Sequence, residues 1–388
     1  MKQLVSIKHG YEPAQMAYDA INRVFVDDAK GKRVLLKPNA GRKGEANTAL
    51  CTSPEVIRGV IRFFKEKEAG EILVGDGALW GVDVREAMEM AGITGVCNDE
   101  NVTVVNLDDY PPVTKEIENG IMVDRLRFSS LPFQVDFVVS MPVVKTHMYT
   151  GATLGIKNMK GCLYRMEKTI LHRIDKPNPQ PEKGKCLDIG IGDMSTVLLP
   201  DYVVLDGTTC MEGFGPAVGS TIDLDLVVAS KDPTAADYVG MSLMGMDPSC
   251  VSHVSIVRER CGTASLDDIA AEPEDYLKYA KKFQTADMTR LSNLYPYIDV
   301  VEKGTCSACS ATIMAFIKNH GSKFDDNNRL VLATGKDLKD EDLIRECLVL
   351  VGNCAGHAGK GLPYCKGCPP VGSSILKFIE DQAEDNAT

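Results

Sequence analysis

The sequence predicts an α/β fold: a mainly parallel sheet covered by helices, followed by a small C-terminal cysteine-rich α/β segment. Three observations predict it. Short β-branched runs recur up to about residue 260, segments of helical period separate them, and six of the thirteen cysteines fall between residues 306 and 368. Continuous apolar strands joined by helices are what a parallel sheet buried on both faces requires.

In chain order the runs are Arg33 to Lys37, Glu71 to Val74, Val102 to Val105, Asp136 to Ser140, Tyr202 to Leu205 and Leu224 to Ala229. Between the first two, Ser53-Pro54-Glu55 supplies a helix cap with proline at the first helical position. Val56, Ile57, Val60, Ile61, Phe63 and Phe64 follow at helical spacing, so this helix is expected to pack on the sheet. Residues 263–300 change character: Asp267, Asp268, Glu272, Glu274, Asp275 and Lys278 stand among few large apolar groups, which reads as a surface helical connector. The expected division is an α/β domain at 1–262, the connector at 263–300, a cysteine-rich metal-cluster segment at 301–379 and an acidic tail at 380–388.

At 388 residues the chain is long enough for two or three domains, and 44% hydrophobic with 25% charged residues is a soluble globular composition. A net charge of -11 argues against nucleic acid or an anionic membrane as partner, since both are recognised by basic surface. The most apolar stretch, Val135 to Val144, carries Asp136 and is too short to span a bilayer. The first residues lack the apolar core of a secretion signal, so thirteen cysteines imply free thiols and metal ligands in a reducing compartment. The expected location is cytoplasmic.

Five of the late cysteines fall in metal-ligand patterns: Cys306-x2-Cys309, Cys354, and Cys365-x2-Cys368 followed by Pro369 and Pro370. Thiolates select zinc, copper(I) or iron-sulfur clusters. A cysteine followed by proline is the ending of bacterial cluster-binding runs. Gly352, Gly356, Gly359, Gly361 and Gly367 are expected to offer free amides to cluster sulfurs. A 4Fe-4S cluster is therefore the expected cofactor, with zinc as the alternative because paired C-x2-C knuckles also build structural zinc sites. Cys306, Cys309 and Cys368 are the expected ligands, and the fourth is Cys354 or Cys365. Cys347 and the remaining cysteines, Cys51, Cys97, Cys162, Cys186, Cys210, Cys250 and Cys261, read as small core residues.

The loops that end the strands carry the second constellation: Lys37-Pro38-Asn39, Gly75-Asp76-Gly77, Lys145-Thr146-His147 and Asp206-Gly207. In open α/β sheets ligands bind beyond the carboxyl ends of the strands, although Gly, Pro, Asn and Asp are also what plain turns use. Lys37, Lys145, Lys157 and Lys160, with the hydroxyls of Thr146, Thr150 and Thr153, suit an anionic ligand such as a carboxylate or phosphate, and Asn39 and Asn158 share their loops. His147 is expected to exchange a proton near neutral pH. Asp76, Asp206 and Glu212 are expected to orient the lysines or hold a metal. No Walker sequence and no Gly-x-Gly-x-x-Gly opening a helix is present.

Three of these stretches, Lys37 to Asn39, Lys145 to His147 and Gly-Ile-Lys-Asn-Met-Lys-Gly from Gly155 to Gly161, resemble the family named domain of unknown function 362 over roughly residues 30 to 260. Some of its members carry a similar cysteine-rich C-terminal part, so the resemblance implies an iron-sulfur protein and no particular reaction. The expectation is a redox enzyme in which Lys145 and His147 act on an anionic small molecule or cofactor, with a redox partner protein exchanging electrons. A non-catalytic electron carrier or cluster-bearing subunit is one alternative. A structural-zinc protein with isomerase or lyase chemistry is the other.

Overall fold

The apolar runs become strands because their side chains are buried on alternate faces. Leu35 points to one core, and its neighbours Val34 and Leu36 point to the other. The computed structural model describes residues 2–78, 81–174, 176–286 and 295–385. Parts of the expected connector (287–294) and tail (386–388) lie outside them. The chain divides into two units, Met1–Thr285 and Ala286–Thr388.

Strands of the first unit are β1 (Gln3–His9), β2 (Arg33–Pro38), β3 (Glu71–Asp76), β4 (Thr103–Asn106), β5 (Pro112–Glu116), β6 (Arg125–Ser129), β7 (Phe137–Met141), β8 (Val143–His147), β9 (Gly151–Thr153), β10 (Tyr202–Glu212), β11 (Ser220–Ser230) and β12 (Ile269–Glu272). The main sheet runs β12-β1-β11-β10-β7-β2-β3-β4, with β8 pairing β10 and β9 beside it. From β10 to β4 every pair is parallel, whereas β11 runs antiparallel to β1 and to β10. This is a mainly parallel sheet flanked by helices.

Helices Pro13–Val24 and Pro54–Glu66 cover one face with Ala17, Ile21, Val60, Phe63 and Phe64. On the other face Ile156, Met194, Met241 and Val254 pack against Leu35, Val138 and Leu205. Ser53 occupies the cap position of the second helix without capping it through its side chain. Its backbone N–H is taken instead by Asp206, at 2.7 Å.

Three readings of the sequence need correction. Lys145, Thr146 and His147 do not form a loop after the run 136–140; after Pro142 they build β8, buried at every residue between β9 and β10. Residues 263–300 are not simply a helical connector, because Ile269–Glu272 pairs in parallel with β1 and extends the sheet. Cys347 is exposed, and its φ of 55° puts it at the turn before a strand rather than in a core.

In the second unit, β13 (Ile298–Glu302), β14 (Leu330–Thr334), β15 (Leu348–Val351) and β16 (Tyr364–Cys365) form a parallel sheet in chain order. Helix Ser307–His320 begins inside the Cys306-Cys309 knuckle, and helix Gly372–Asp385 follows the double proline. Among the described residues no helix is long and apolar enough to cross a membrane.

Candidate functional site

At the carboxyl ends of β2 and β3 a closed network forms. The Lys37 ammonium is fully buried, 2.7 Å from Asp76 Oδ1, and donates to Asn158 Oδ1 at 2.9 Å and to the Pro38 carbonyl at 3.1 Å. Asn39 Nδ2 donates to the same Asn158 oxygen at 2.6 Å. Asn158 Nδ2 donates back to the Lys37 carbonyl and to Ser140 Oγ, both at 3.0 Å. Asp76 also accepts from the backbone N–H of Ala40 at 2.9 Å and of Gly77 at 2.8 Å. Lys37, Asn39, Asp76 and Asn158 thus come together, but they satisfy one another. Their chemistry is to hold the loops.

The other lysines stand differently. Lys145 is 3% exposed and Lys157 7% exposed. Lys145 donates to the Leu50 carbonyl at 2.7 Å, and burial pulls its pKa down to about 8, with Cys51, Arg42, Asp206 and Asp76 in its field. Lys157 reaches Thr153 Oγ1 at 3.4 Å; burial, then Lys160 beside it, hold it well below the ordinary amine value. Lys160 lies 2.5 Å from His172 Nε2, and burial lowers it to about 7. Arg42 belongs to the same field; the residue as a whole is exposed, while burial of its guanidinium lowers its pKa.

His147 accepts two backbone N–H groups on Nδ1, from Tyr149 at 3.0 Å and Thr150 at 3.2 Å. A backbone N–H can only donate, so Nδ1 is bare and the proton of the neutral ring is assigned to Nε2. Burial, then Lys157 and His172, keep this ring well below the usual imidazole pKa. His147 is therefore built as a neutral hydrogen-bond donor, rather than the proton exchanger its residue type suggested. Thr146 gives its hydroxyl to the Gly213 carbonyl at 3.0 Å and Thr150 to the Ala152 carbonyl at 3.3 Å, so both brace backbone. Glu212 is engaged by the Gln284 N–H at 2.8 Å.

Sequence reasoning missed Arg42, His172, His253, Asp188 and Asp237. His253 Nδ1 lies 3.4 Å from Asp188 Oδ1, both buried and outside hydrogen-bond geometry, and His253 shares the field of Lys157 and Lys160. None stands at a spacing that marks it; only Arg42, five residues after Lys37, adjoins a motif. A separate hollow of about 480 Å³, lined by Met122, Val123, Ile170 and Ile174 among others, is mostly apolar and touches none of these groups.

In the second unit the Cys306 and Cys309 thiols are hydrogen-bonded to each other, and Cys368 lies within their field. That contact, burial and Cys368 together push the Cys309 thiol far above the ordinary value. Deprotonating neighbouring thiols is costly until a cation compensates them, which is what a soft metal supplies. The approach is close: a Cβ on Gly352 would stand 3.2 Å from Cys309 Sγ. Cys365 is buried in β16, and Cys354 is exposed on helix Asn353–Ala358. Among the described residues, no three His, Cys, Asp or Glu side chains gather as ligands of one metal ion. Four of the five glycine amides are not free in the way expected. Gly352 donates to the Cys365 carbonyl, Gly356 to Gly352, Gly359 to Ala355, and Gly367 to Asn353 Oδ1. Of the remaining cysteines, Cys51, Cys97, Cys162 and Cys210 are buried, Cys186 and Cys261 half-buried and Cys250 exposed.

The chain is 28% identical over 246 residues to the thylakoid-associated protein sll1697 of Synechocystis sp., a match covering 62% of this chain and 71% of that protein. Among solved structures it is similar to the lactate racemase apoprotein of Thermoanaerobacterium thermosaccharolyticum, with a TM-score of 0.42, 11% identity, and coverage of 98% of this chain and 90% of that one. Residues 34–242, more than half of the chain, match the sequence model of the family described as domain of unknown function (DUF362), and the chain belongs to that family.

Proposed function

We propose that this protein is an iron-sulfur redox enzyme whose first unit binds an anionic small molecule or cofactor. The observation that carries the ligand half is the convergence of Lys145, Lys157 and Lys160 with His147 and His172, while the nearby Asp76 is already neutralised by Lys37. Buried cations held below their ordinary pKa are costly in the empty protein and are stabilised by an anion. Lys145 and His147 present an ammonium and a neutral donor to it. Two buried donors of this kind serve catalysis where negative charge develops.

The cofactor half rests on the thiols. Cys306, Cys309 and Cys368 would hold the cluster, with Cys354 or Cys365 as fourth ligand. Bound there, a 4Fe-4S cluster would supply or accept single electrons, exchanged with a redox partner protein in a reducing, cytoplasmic setting. One observation favours a second reading. The direct contact of the Cys306 and Cys309 thiols suits two ligands of a single zinc ion, which would make the centre structural.

Anaerobic purification separates the two. The cluster reading expects brown protein with iron and acid-labile sulfide near four each, and broad absorption at about 400 nm that bleaches with dithionite. Colourless protein with one zinc per chain would sink it and leave the zinc reading.

A further inference from the structure

Resting on the anion-binding half of that reading, we propose that the ligand of the first unit carries a phosphate group, and that Lys160, held against His172, is its proton-sensitive contact. The argument is a balance of charge. Four cationic side chains share one field, Arg42, Lys145, Lys157 and Lys160. Asp76 belongs to Lys37, and among the described residues the other carboxylates acting in that field are Asp206 and Asp188. Both already accept hydrogen bonds: Asp206 from the Ser53 N–H and from Thr208, Asp188 from the Lys185 N–H. With all four cations charged, the surplus among these described groups is two positive charges. A phosphate monoester carries close to two negative charges at pH 7, and a carboxylate carries one.

The surplus is also concentrated. Lys157 and Lys160 stand three residues apart on the helical turns from Gly155 to Cys162, hence on one side of them. A compact dianion neutralises such a pair better than a dicarboxylate, whose two charges are spread apart. The remaining donors suit the same shape. Arg42 offers a planar fork matched to phosphate oxygens. His147 offers the Nε2 proton assigned above.

Burial lowers Lys160; His172 is in contact with it, Lys157, His147 and His253 share its field, and Asp188 and Arg42 act on Lys157 beside it. His172 is itself held well below the usual imidazole pKa, by burial and then by Lys160 and Lys157. The shared proton therefore rests on Lys160, with His172 accepting and orienting it. In the empty protein at pH 8 Lys160 is largely neutral, and a bound dianion recharges it. Binding at that pH takes up a proton.

The test is calorimetric titration of the full-length protein with inorganic phosphate, and separately with succinate, at pH 8 in two buffers of different ionisation enthalpy. Expected are phosphate binding at least tenfold tighter than succinate and net uptake of at least half a proton per phosphate bound, Lys145 and Lys157 adding to the share of Lys160. Lys160→Met is expected to lower the uptake by at least half a proton and weaken binding at least tenfold, and Lys160→Arg to restore affinity with the uptake still lowered. The second variant guards against misfolding of the first. Succinate binding as tight as phosphate, or phosphate binding without uptake, overturns the phosphate assignment and leaves the anion site standing. Binding of neither overturns both, whatever the iron and sulfide content shows.

Discussion

Asp237, fully buried on helix Pro233–Leu243, accepts the backbone N–H of Gly155 at 2.7 Å and of Ile156 at 3.1 Å. One carboxylate thereby fastens the start of the turn that carries Lys157, Asn158 and Lys160. Burial drives its pKa up to about 7, against the pull of the two amides. Between about pH 4 and pH 7 the unfolded chain has ionised this group and the native state has not, so its contribution to stability is lost as pH rises through that window. Asp237→Asn should remove that loss and, by turning an amide against one N–H, cost about 1–3 kcal/mol at low pH. Urea midpoints at pH 4.5 and 7.5 measure both; an unchanged pH dependence in the variant would contradict the assignment.

The Lys37 and Asp76 pair makes a prediction of another kind. Asp76→Asn leaves a fully buried ammonium without its counter-charge and should destabilise by about 3–5 kcal/mol. Adding Lys37→Met to it should recover a large part of that loss, because no charge is then stranded. Chemical denaturation of the wild type, the single and the double variant decides it. Equal losses in the single and double variants would mean that the pair matters only for shape.

Lys145 should show the opposite balance between stability and binding. Its native pKa of about 8 lies below the unfolded value, so the wild type gains stability as pH rises from about 8 towards 10.5. Lys145→Met should flatten that rise, leave stability at pH 7 unchanged or higher, and weaken phosphate binding severalfold. Thermal melts from pH 7 to 10 beside a phosphate titration are the measurement, and a variant with lower stability and intact binding would remove Lys145 from the site.

The central strands were legible because both their faces are apolar, as in Val34 to Leu36 and Val138 to Val139. β8 was not, because Lys145, Thr146 and His147 are polar and yet buried. A strand that carries site residues does not follow the hydrophobic pattern used to find strands. For the same reason the motif lysines were visible as a group, while the division between Lys37, which is structural, and Lys145, Lys157 and Lys160, which are unbalanced, depends on which carboxylates come near in the fold. His172 and Asp237 are single residues in unremarkable stretches. Only the folding of the turn from Gly155 to Cys162 onto them gives them meaning.

Ile269–Glu272, the last strand of the first unit to be made, lies beside Gln3–Ser6, the first. A polypeptide ended at residue 262 would leave the hydrogen-bonding groups of β1 open along that margin, a template on which other chains can assemble. In the whole protein the margin is instead a strand of four residues closed by Pro273, which has no N–H to offer. During synthesis, therefore, the β1 margin of the sheet stays open to other chains until Ile269–Glu272 has emerged to pair with it.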